Sequence, residues 1–288
     1  MNKIALGTVQ FGFDYGISNK SGKVNYNETK SIIELAKRSG LNTLDTAHGY
    51  GDSEKNLGKV GIDGWKVISK LPAIPNDCKN IEKWAIDIVE QSLDYLKVSN
   101  IEGLLLHHPS DLFTPYGDAL YKSLIKIKRY GLTNNIGISI YNTKDLNSIC
   151  ASYDFDIIQA PMNVIDWRLQ ETGLLCRLKK KNIEIHVRSV FLQGLLLMPI
   201  REQKNKFPKW DSLWDKWDLW LKEHNISALQ ACLGHVIKED KIDKVIVGVN
   251  KLGDLAEILK LVNFGSPNIP RDFICNDIEL INPMFWSK

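Results

Sequence analysis

Four residues able to move a proton fall at, or just beyond, the ends of apolar runs in the first 107 positions: Asp45, Tyr50, Lys70 and His107. A buried carboxylate with a phenol close behind it suits proton transfer, provided a cation nearby lowers the tyrosine pKa from about 10. Asp45 closes the apolar stretch Thr43-Leu44-Asp45, Tyr50 follows in the loop Gly49-Tyr50-Gly51, and Asp52-Ser53 has the composition of a helix N-cap. Lys70 follows the apolar pair Val67-Ile68, and His107 ends the apolar run that starts at Ile101. Taken singly, each has a structural alternative: Asp45 as a cap, Tyr50 as loop packing, Lys70 as a solvated cation, His107 as a satisfied core histidine. Titratable residues that end three successive buried strands are harder to explain that way. An ammonium beyond an apolar strand needs a counter-ion, and Asp45 is the natural one. The cation then favours tyrosinate and makes Tyr50 a better acid, while His107 can donate a hydrogen bond to a carbonyl oxygen.

The chain around these residues alternates short apolar runs with amphipathic ones. Strands are expected at Lys3 to Gly7, Thr43 to Asp45, Lys66 to Ser69, Ile101 to His107, Asn135 to Ser139, Asp156 to Ala160, Glu184 to Val187 and Lys244 to Val247. Helices are expected at Glu28 to Arg38, Ser53 to Lys59, Ile81 to Leu96, Asp118 to Arg129, Lys144 to Ala151, Gln170 to Lys180 and Asp254 to Leu261. The rhythm breaks once, where Phe191 to Lys209 reads as loop and two further helices, Ser212 to Glu223 and Ala228 to Lys238, precede the last strand. Strands alternating with helices mean a parallel sheet. Eight such units predict an α/β fold of the (β/α)8 TIM-barrel kind, one domain over 1–288, with extra helices between strands 7 and 8. Trp210, Trp214, Trp217 and Trp220 recur at helical spacing and read as a stripe packed on the barrel rather than a ligand box.

Composition narrows the function classes. The chain has 288 residues, 44% hydrophobic and 25% charged, as a globular protein with a full core would. A net charge of +3 gives no case for nucleic acid or a membrane surface, and the run Lys179-Lys180-Lys181 reads as an exposed helix end. Five scattered cysteines without a CxxC pair point to reduced thiols in a cytoplasmic protein. The start Met1-Asn2-Lys3-Ile4 reads straight into a strand, with no signal peptide expected, and no apolar run reaches the roughly 18 residues of a membrane span. A GxGxxG fingerprint and a GxSxG elbow are absent. Gly16 to Lys23 imitates a phosphate loop but has one residue too many between its glycines, and Val24 stands where Ser or Thr is needed. His107-His108 is no metal pair on a strand, because neighbours point to opposite faces.

Taken in order, Gly7-Thr8 with Phe11-Gly12, Asp45-Thr46-Ala47, Tyr50-Gly51, Ser53-Glu54, Lys70 and Leu106-His107-His108-Pro109 resemble the aldo-keto reductases. Ile136 to Ser139, Gln159 to Asn163, Ser189 to Leu196 and Val245 to Gly248 continue the likeness over all but the last twenty-odd residues. The resemblance implies a barrel that binds NADP(H), or less often NAD(H), in extended form and reduces a small-molecule carbonyl. It implies a tetrad in which Tyr50 is the general acid, Lys70 and Asp45 tune it, and His107 orients the substrate. It also implies cofactor contacts from Gly7, Thr8 and Asp45, with Ser139 and Gln159 holding the carboxamide. Ser189, Leu192, Gln193 and Gly194 would lie along the pyrophosphate, and Gly248, Asn250, Lys251 and Glu257 would meet the adenosine end.

Three positions depart from the family pattern. Ile140 replaces an Asn that often binds the carboxamide, and Ile258 replaces an Asn that often reads adenine. Arg188 stands where a Tyr or Phe commonly stacks on the nicotinamide; a guanidinium can stack flat, or it can bind an anionic substrate group. Lys251 is the candidate for a 2′-phosphate. His108, Phe113, Trp167 and Arg188 are expected to line the substrate pocket, and a sugar-like carbonyl fits the polar loops. Two other functions compete with carbonyl reduction: a nucleotide-bound regulatory subunit of low turnover, motivated by the altered cofactor positions, and a barrel enzyme that uses Lys70 as a Schiff-base nucleophile.

Overall fold

The computed structural model describes residues 3–286. Eight short parallel strands close on themselves in sequence order: β1 (Ile4–Gly7), β2 (Thr43–Asp45), β3 (Lys66–Leu71), β4 (Ile101–Leu106), β5 (Thr133–Ser139), β6 (Ile157–Pro161), β7 (Glu184–Arg188) and β8 (Lys244–Gly248). The closing pair β1–β8 sets Gly7 beside Gly248, and β1–β2 sets Gly7 beside Asp45. The fold is therefore the (β/α)8 TIM barrel expected from the alternation. Its interior holds a small apolar layer of Ile68, Leu105 and Ile157, separate from the large core between strands and helices.

Helices α1 (Tyr26–Arg38), α2 (Ser53–Val60), α3 (Ile81–Leu96), α4 (Gly117–Arg129) and α5 (Leu146–Ser152) follow the first five strands. Each forms for local reasons. Asn25 and Asn80 accept the backbone N–H of Glu28 and Lys83 and so cap α1 and α3. The apolar face of α1, with Ile32, Ile33 and Ala36, packs inward. The helix expected at Gln170 to Lys180 is two pieces, α6 (Arg168–Glu171) and α7 (Leu174–Lys180), parted by Gly173 at φ +66°. That left-handed residue breaks the helical hydrogen-bond run, and periodicity alone does not register it. The lysine run sits at the end of α7, where Lys179 pairs with Asp243 at 2.8 Å.

Between β7 and β8 lie α8 (Ile200–Lys206), α9 (Asp211–Glu223) and α10 (Ala228–Ile237). The loop expected over Phe191 to Lys209 is corrected here, since it contains a 3-10 turn (Leu192–Leu197) and α8. Six of the seven residues of α8 are polar, so its sequence carries almost no apolar stripe; Gln203 instead buries its amide and donates to the Leu195 carbonyl. The tryptophan stripe is core: Trp214, Trp217 and Trp220 are buried on α9. Trp217 and Trp220 stack at 5.8 Å and both meet Phe273 edge-on. Trp210 lies just outside the helix with Lys209 over its ring. After α11 (Leu252–Leu261), the final segment, which includes α12 (Ile278–Ile281), buries Phe273, Leu280 and Ile281. Among the described residues no helix is long and apolar enough to cross a membrane.

His235 of α10 is 1% exposed, lies 4.9 Å from the Trp167 ring, and has no hydrogen-bond partner at either ring nitrogen. Burial, aided by Lys238, pulls its pKa from 6.5 down to about 4. The unfolded chain therefore takes up this proton first as pH falls, and stability drains between pH 6.5 and about 4. The shift corresponds to roughly 3 kcal/mol. Urea midpoints measured across that window should fall less steeply for His235→Leu than for the wild type; parallel curves would refute the assignment.

Candidate active site

Asp45, Lys70, Ser139, Gln159, Arg188 and Gly248 all stand at or near the C-terminal ends of their strands, and His107 is the residue after β4. The barrel converts this placement into one continuous hydrogen-bonded layer. Lys70 Nζ donates to Asp45 Oδ2 at 2.8 Å and to the Thr46 carbonyl at 2.7 Å. Gln159 Nε2 donates to the other carboxylate oxygen of Asp45 at 2.7 Å, and Ser139 Oγ donates to Gln159 Oε1 at 2.8 Å. Arg188 Nε extends the chain to Ser139 Oγ at 3.4 Å. Lys70 is 1% and Asp45 4% exposed, so this is a buried ion pair whose charges are satisfied by geometry.

Tyr50 lies over the pair, with Lys70 Nζ 5.0 Å from its ring centroid and the His107 ring edge-on at 5.7 Å. Its loop is held from below. Ser53 Oγ donates to the Thr8 carbonyl at 2.9 Å and sits 3.2 Å from Thr46 Oγ1, while Thr8 Oγ1 donates to the Asp45 carbonyl at 3.0 Å. Asp52 takes the N-cap position of α2 without a side-chain cap bond, so Ser53 braces the strand ends instead of capping the helix. The chain passes so close at Gly12 that a Cβ there would meet the Tyr50 carbonyl oxygen at 1.7 Å.

Electrostatics at the rim differ from the sequence expectation in one respect. Lys70 spends its ammonium on Asp45 and Thr46 rather than on the phenol, and burial lowers its own pKa. Burial and then the Asp45 carboxylate push the Tyr50 phenol well above its ordinary range, against a smaller pull from Arg188. Tyr50 therefore keeps its proton. Burial, together with Lys70, His108 and Arg188, holds His107 down at about 3, so the imidazole is neutral and has one N–H to donate.

These residues end a cleft of about 610 Å³ that runs from Tyr50 and His107 across the barrel mouth to the start of α11. Gly7, Thr8, Asp45, Arg188, Ser189, Gln193, Gly194, Gly248, Asn250, Lys251 and Glu257 line it. Lys70, Ser139 and Gln159 lie behind that lining, in the hydrogen-bonded layer. The Leu192 side chain is buried in the core and is not part of the cleft lining. His108, Phe113 and Trp167 also lie outside the lining, and the Trp167 indole N–H is bonded to the Val164 carbonyl. Sequence reasoning missed Gln10, Tyr15 and Tyr141. Tyr141 stands two residues past Ser139, so the strand-end logic could have found it; Tyr15 belongs to a loop with no periodic signal.

Two features of the cleft suit a nucleotide. Gln10 Oε1 and Asn250 Oδ1 are buried without a hydrogen-bond partner in its wall. Ser189, Leu192, Gln193 and Gly194 all have positive φ and fold this connection along the cleft, with the Leu192 and Gly194 amides bonded to the Ser189 and Phe191 carbonyls. Among the described residues no group of three or more His, Cys, Asp or Glu could hold a metal ion.

Comparison with known proteins bears on the same site. The model of the aldo/keto reductase family matches residues 3–268. An aldo-keto reductase from Mycolicibacterium vanbaalenii is 24% identical over 131 residues, so the chain matches about half, 46%, of that relative's length and 44% of its own. An aldo-keto reductase from Bacillus halodurans in its holo form superposes with a TM-score of 0.72 at 16% identity, covering 92% of this chain and 88% of that one. A glycerol dehydrogenase from Gluconobacter oxydans superposes with a TM-score of 0.70 at 21% identity, covering 93% and 88%. At such identities the structures speak for the barrel, whereas the family model spans nearly the whole sequence. The chain belongs to the aldo/keto reductase family.

Proposed function

We propose that this protein reduces an aldehyde or ketone to an alcohol with a bound nicotinamide dinucleotide, Tyr50 serving as the general acid. The observation that carries the reading is the seat of Tyr50: a phenol without a hydrogen bond to the described residues, in a cleft wall, above a buried Lys70–Asp45 pair and beside a neutral His107. The residues present fit the cofactor. Gly248, Asn250, Lys251 and Glu257 would hold its adenosine end and the loop 189–194 its phosphates, with Gln10 and Asn250 supplying the unpaired amide oxygens. When bound, the nicotinamide supplies a hydride.

The chain does the rest. The His107 N–H holds the carbonyl oxygen within reach of the Tyr50 hydroxyl, and Tyr50 gives its proton to that oxygen as negative charge develops there. Phenolate left on Tyr50 is stabilised by the Arg188 charge, with the Lys70 ammonium 5.0 Å from the ring centroid. Asp45 keeps Lys70 charged in a buried place, and Gln159 and Ser139 keep Asp45 in position. The Schiff-base alternative has less support, because Lys70 lies behind the cleft wall with its ammonium held by two oxygens.

Replacing Tyr50 with Phe should lower kcat by about 10²- to 10⁴-fold while NADPH still quenches tryptophan fluorescence with nearly unchanged affinity. Full activity in Tyr50→Phe would overturn the proposal. Because Tyr50 titrates high and His107 at about 3, kcat/KM for reduction should be flat from pH 5 to 8, as an order-of-magnitude window; a break near pH 6.5 abolished by His107→Asn would contradict it. Lys251 is exposed at the cleft and fits a 2′-phosphate, so NADPH should bind more tightly than NADH, and Lys251→Ala should shrink that preference about tenfold. Equal affinities in the wild type would remove Lys251 from that role.

A further inference from the structure

Arg188 is the charge at the reaction end of the cleft that the chain itself does not balance. Its guanidinium is half-buried, and its partners are the Ser139 hydroxyl, the Ser189 hydroxyl at 3.2 Å and the Ile140 carbonyl at 2.9 Å, all neutral. Among the described residues no carboxylate comes within 4.0 Å of it. Three of the four acidic groups in the same wall are committed elsewhere, and the fourth, Glu257, stands on α11 at the far end of the cleft. Asp45 is paired with Lys70, Glu202 with Lys20 at 3.1 Å, and Asp254 accepts the backbone N–H groups of Asn250 and Lys251.

The guanidinium is also held still. Its Cζ lies over the Tyr141 ring, 4.0 Å from the centroid, and three hydrogen bonds hold it there. An arginine has five N–H donors, so two remain, one on each terminal nitrogen, for the oxygens of a carboxylate or phosphate. Its field reaches Tyr50, His107 and Lys70, which places it at the reacting groups rather than at the far, adenosine-facing end.

We propose that the carbonyl substrate of this protein is an anion, and that Arg188 receives its carboxylate or phosphate while Tyr50 and His107 hold the carbonyl. The proposal rests on the carbonyl-reductase reading. Arg188 is a specificity-determining residue in it, and Tyr141 positions the guanidinium.

Matched pairs test it: 2-, 3- and 4-carboxybenzaldehyde against their methyl esters, and glyceraldehyde 3-phosphate against glyceraldehyde, each with NADPH. In the wild type at least one anion should exceed its neutral partner in kcat/KM. In Arg188→Gln the anion-to-neutral ratio should fall about 100-fold, whatever the absolute rates, with Arg188→Lys recovering part of it. A ratio unmoved by the substitution overturns the proposal, as does a wild type that prefers every neutral partner. Should the NADPH Kd rise in Arg188→Gln with the ratio unmoved, the guanidinium serves the dinucleotide's phosphates instead. Calorimetric titration of the NADPH-loaded wild type and Arg188→Gln with isophthalate reads the anion site without turnover. Binding of isophthalate to the wild type, lost in the variant, with no aldehyde reduced, would fail the reductase reading alone; no binding in either protein would fail the anion site.

Discussion

An ion pair buried at the mouth of the barrel is the constraint that organises everything near it. Removing Lys70 and Asp45 from water costs several kcal/mol per ion, and their attraction offsets that only where every remaining donor and acceptor is met. Here two of the three donors of Lys70 meet Asp45 and the Thr46 carbonyl, and the second oxygen of Asp45 meets Gln159. The pair therefore fixes the relative positions of β2, β3 and β6, and through Ser139 that of β5. A surface pair of the same composition would impose no such order. The consequence for Tyr50 is indirect. The ammonium is not offered to the phenol as a hydrogen-bond donor but lies beneath its ring, and the carboxylate beside it helps to keep the phenol protonated.

Rigid and adjustable parts are divided in the usual way of barrels, with strand ends fixed and loops shaping the ligand space. Two long connections form most of the cleft wall: the one after β1, which carries Tyr15 and Lys20, and the one after β7, which carries Ser189 to Glu202. They meet at Ser18 and Gln193 and again at the Lys20–Glu202 pair. Backbone strain is concentrated in the second of these, at Ser189, Leu192 and Gln193. Positive φ at such residues costs about 1–3 kcal/mol each and persists only where surroundings over-determine it. Burial of the Leu192 side chain is one such anchor, so a residue that does not face the cleft still shapes it.

Arg188 puts a positive charge into the wall of the cleft at its reaction end. A ring at that position would be a neutral wall; a guanidinium stacked on Tyr141 is a wall with a charge. Its influence is felt by Tyr50 and His107 alike, lowering both. For the phenol this partly opposes the effect of burial, and for the imidazole it adds to it. The two groups are thereby held in complementary states, one a proton donor in waiting and the other a neutral hydrogen-bond donor.

How much was legible in the chain follows from which forces are local. Eight apolar runs alternating with amphipathic ones determined the barrel, because a sheet covered on both faces needs continuous apolar strands and each helix needs one apolar stripe. The buried tryptophans of α9 followed from the same periodicity. Strand-end placement likewise marked Asp45, Lys70 and His107 as rim residues, since their polarity conflicts with the runs they terminate. Periodicity was silent where the stabilising contact is polar or conformational: Gln203 in α8, Gly173 between α6 and α7, and the inward turn of Leu192. Tertiary structure alone decided how the rim charges are spent. Residues far apart in sequence meet there through hydrogen bonds whose directions depend on barrel closure, so Lys70 serves Asp45 before Tyr50, Gln159 serves Asp45, and Arg188 is left without a counter-ion.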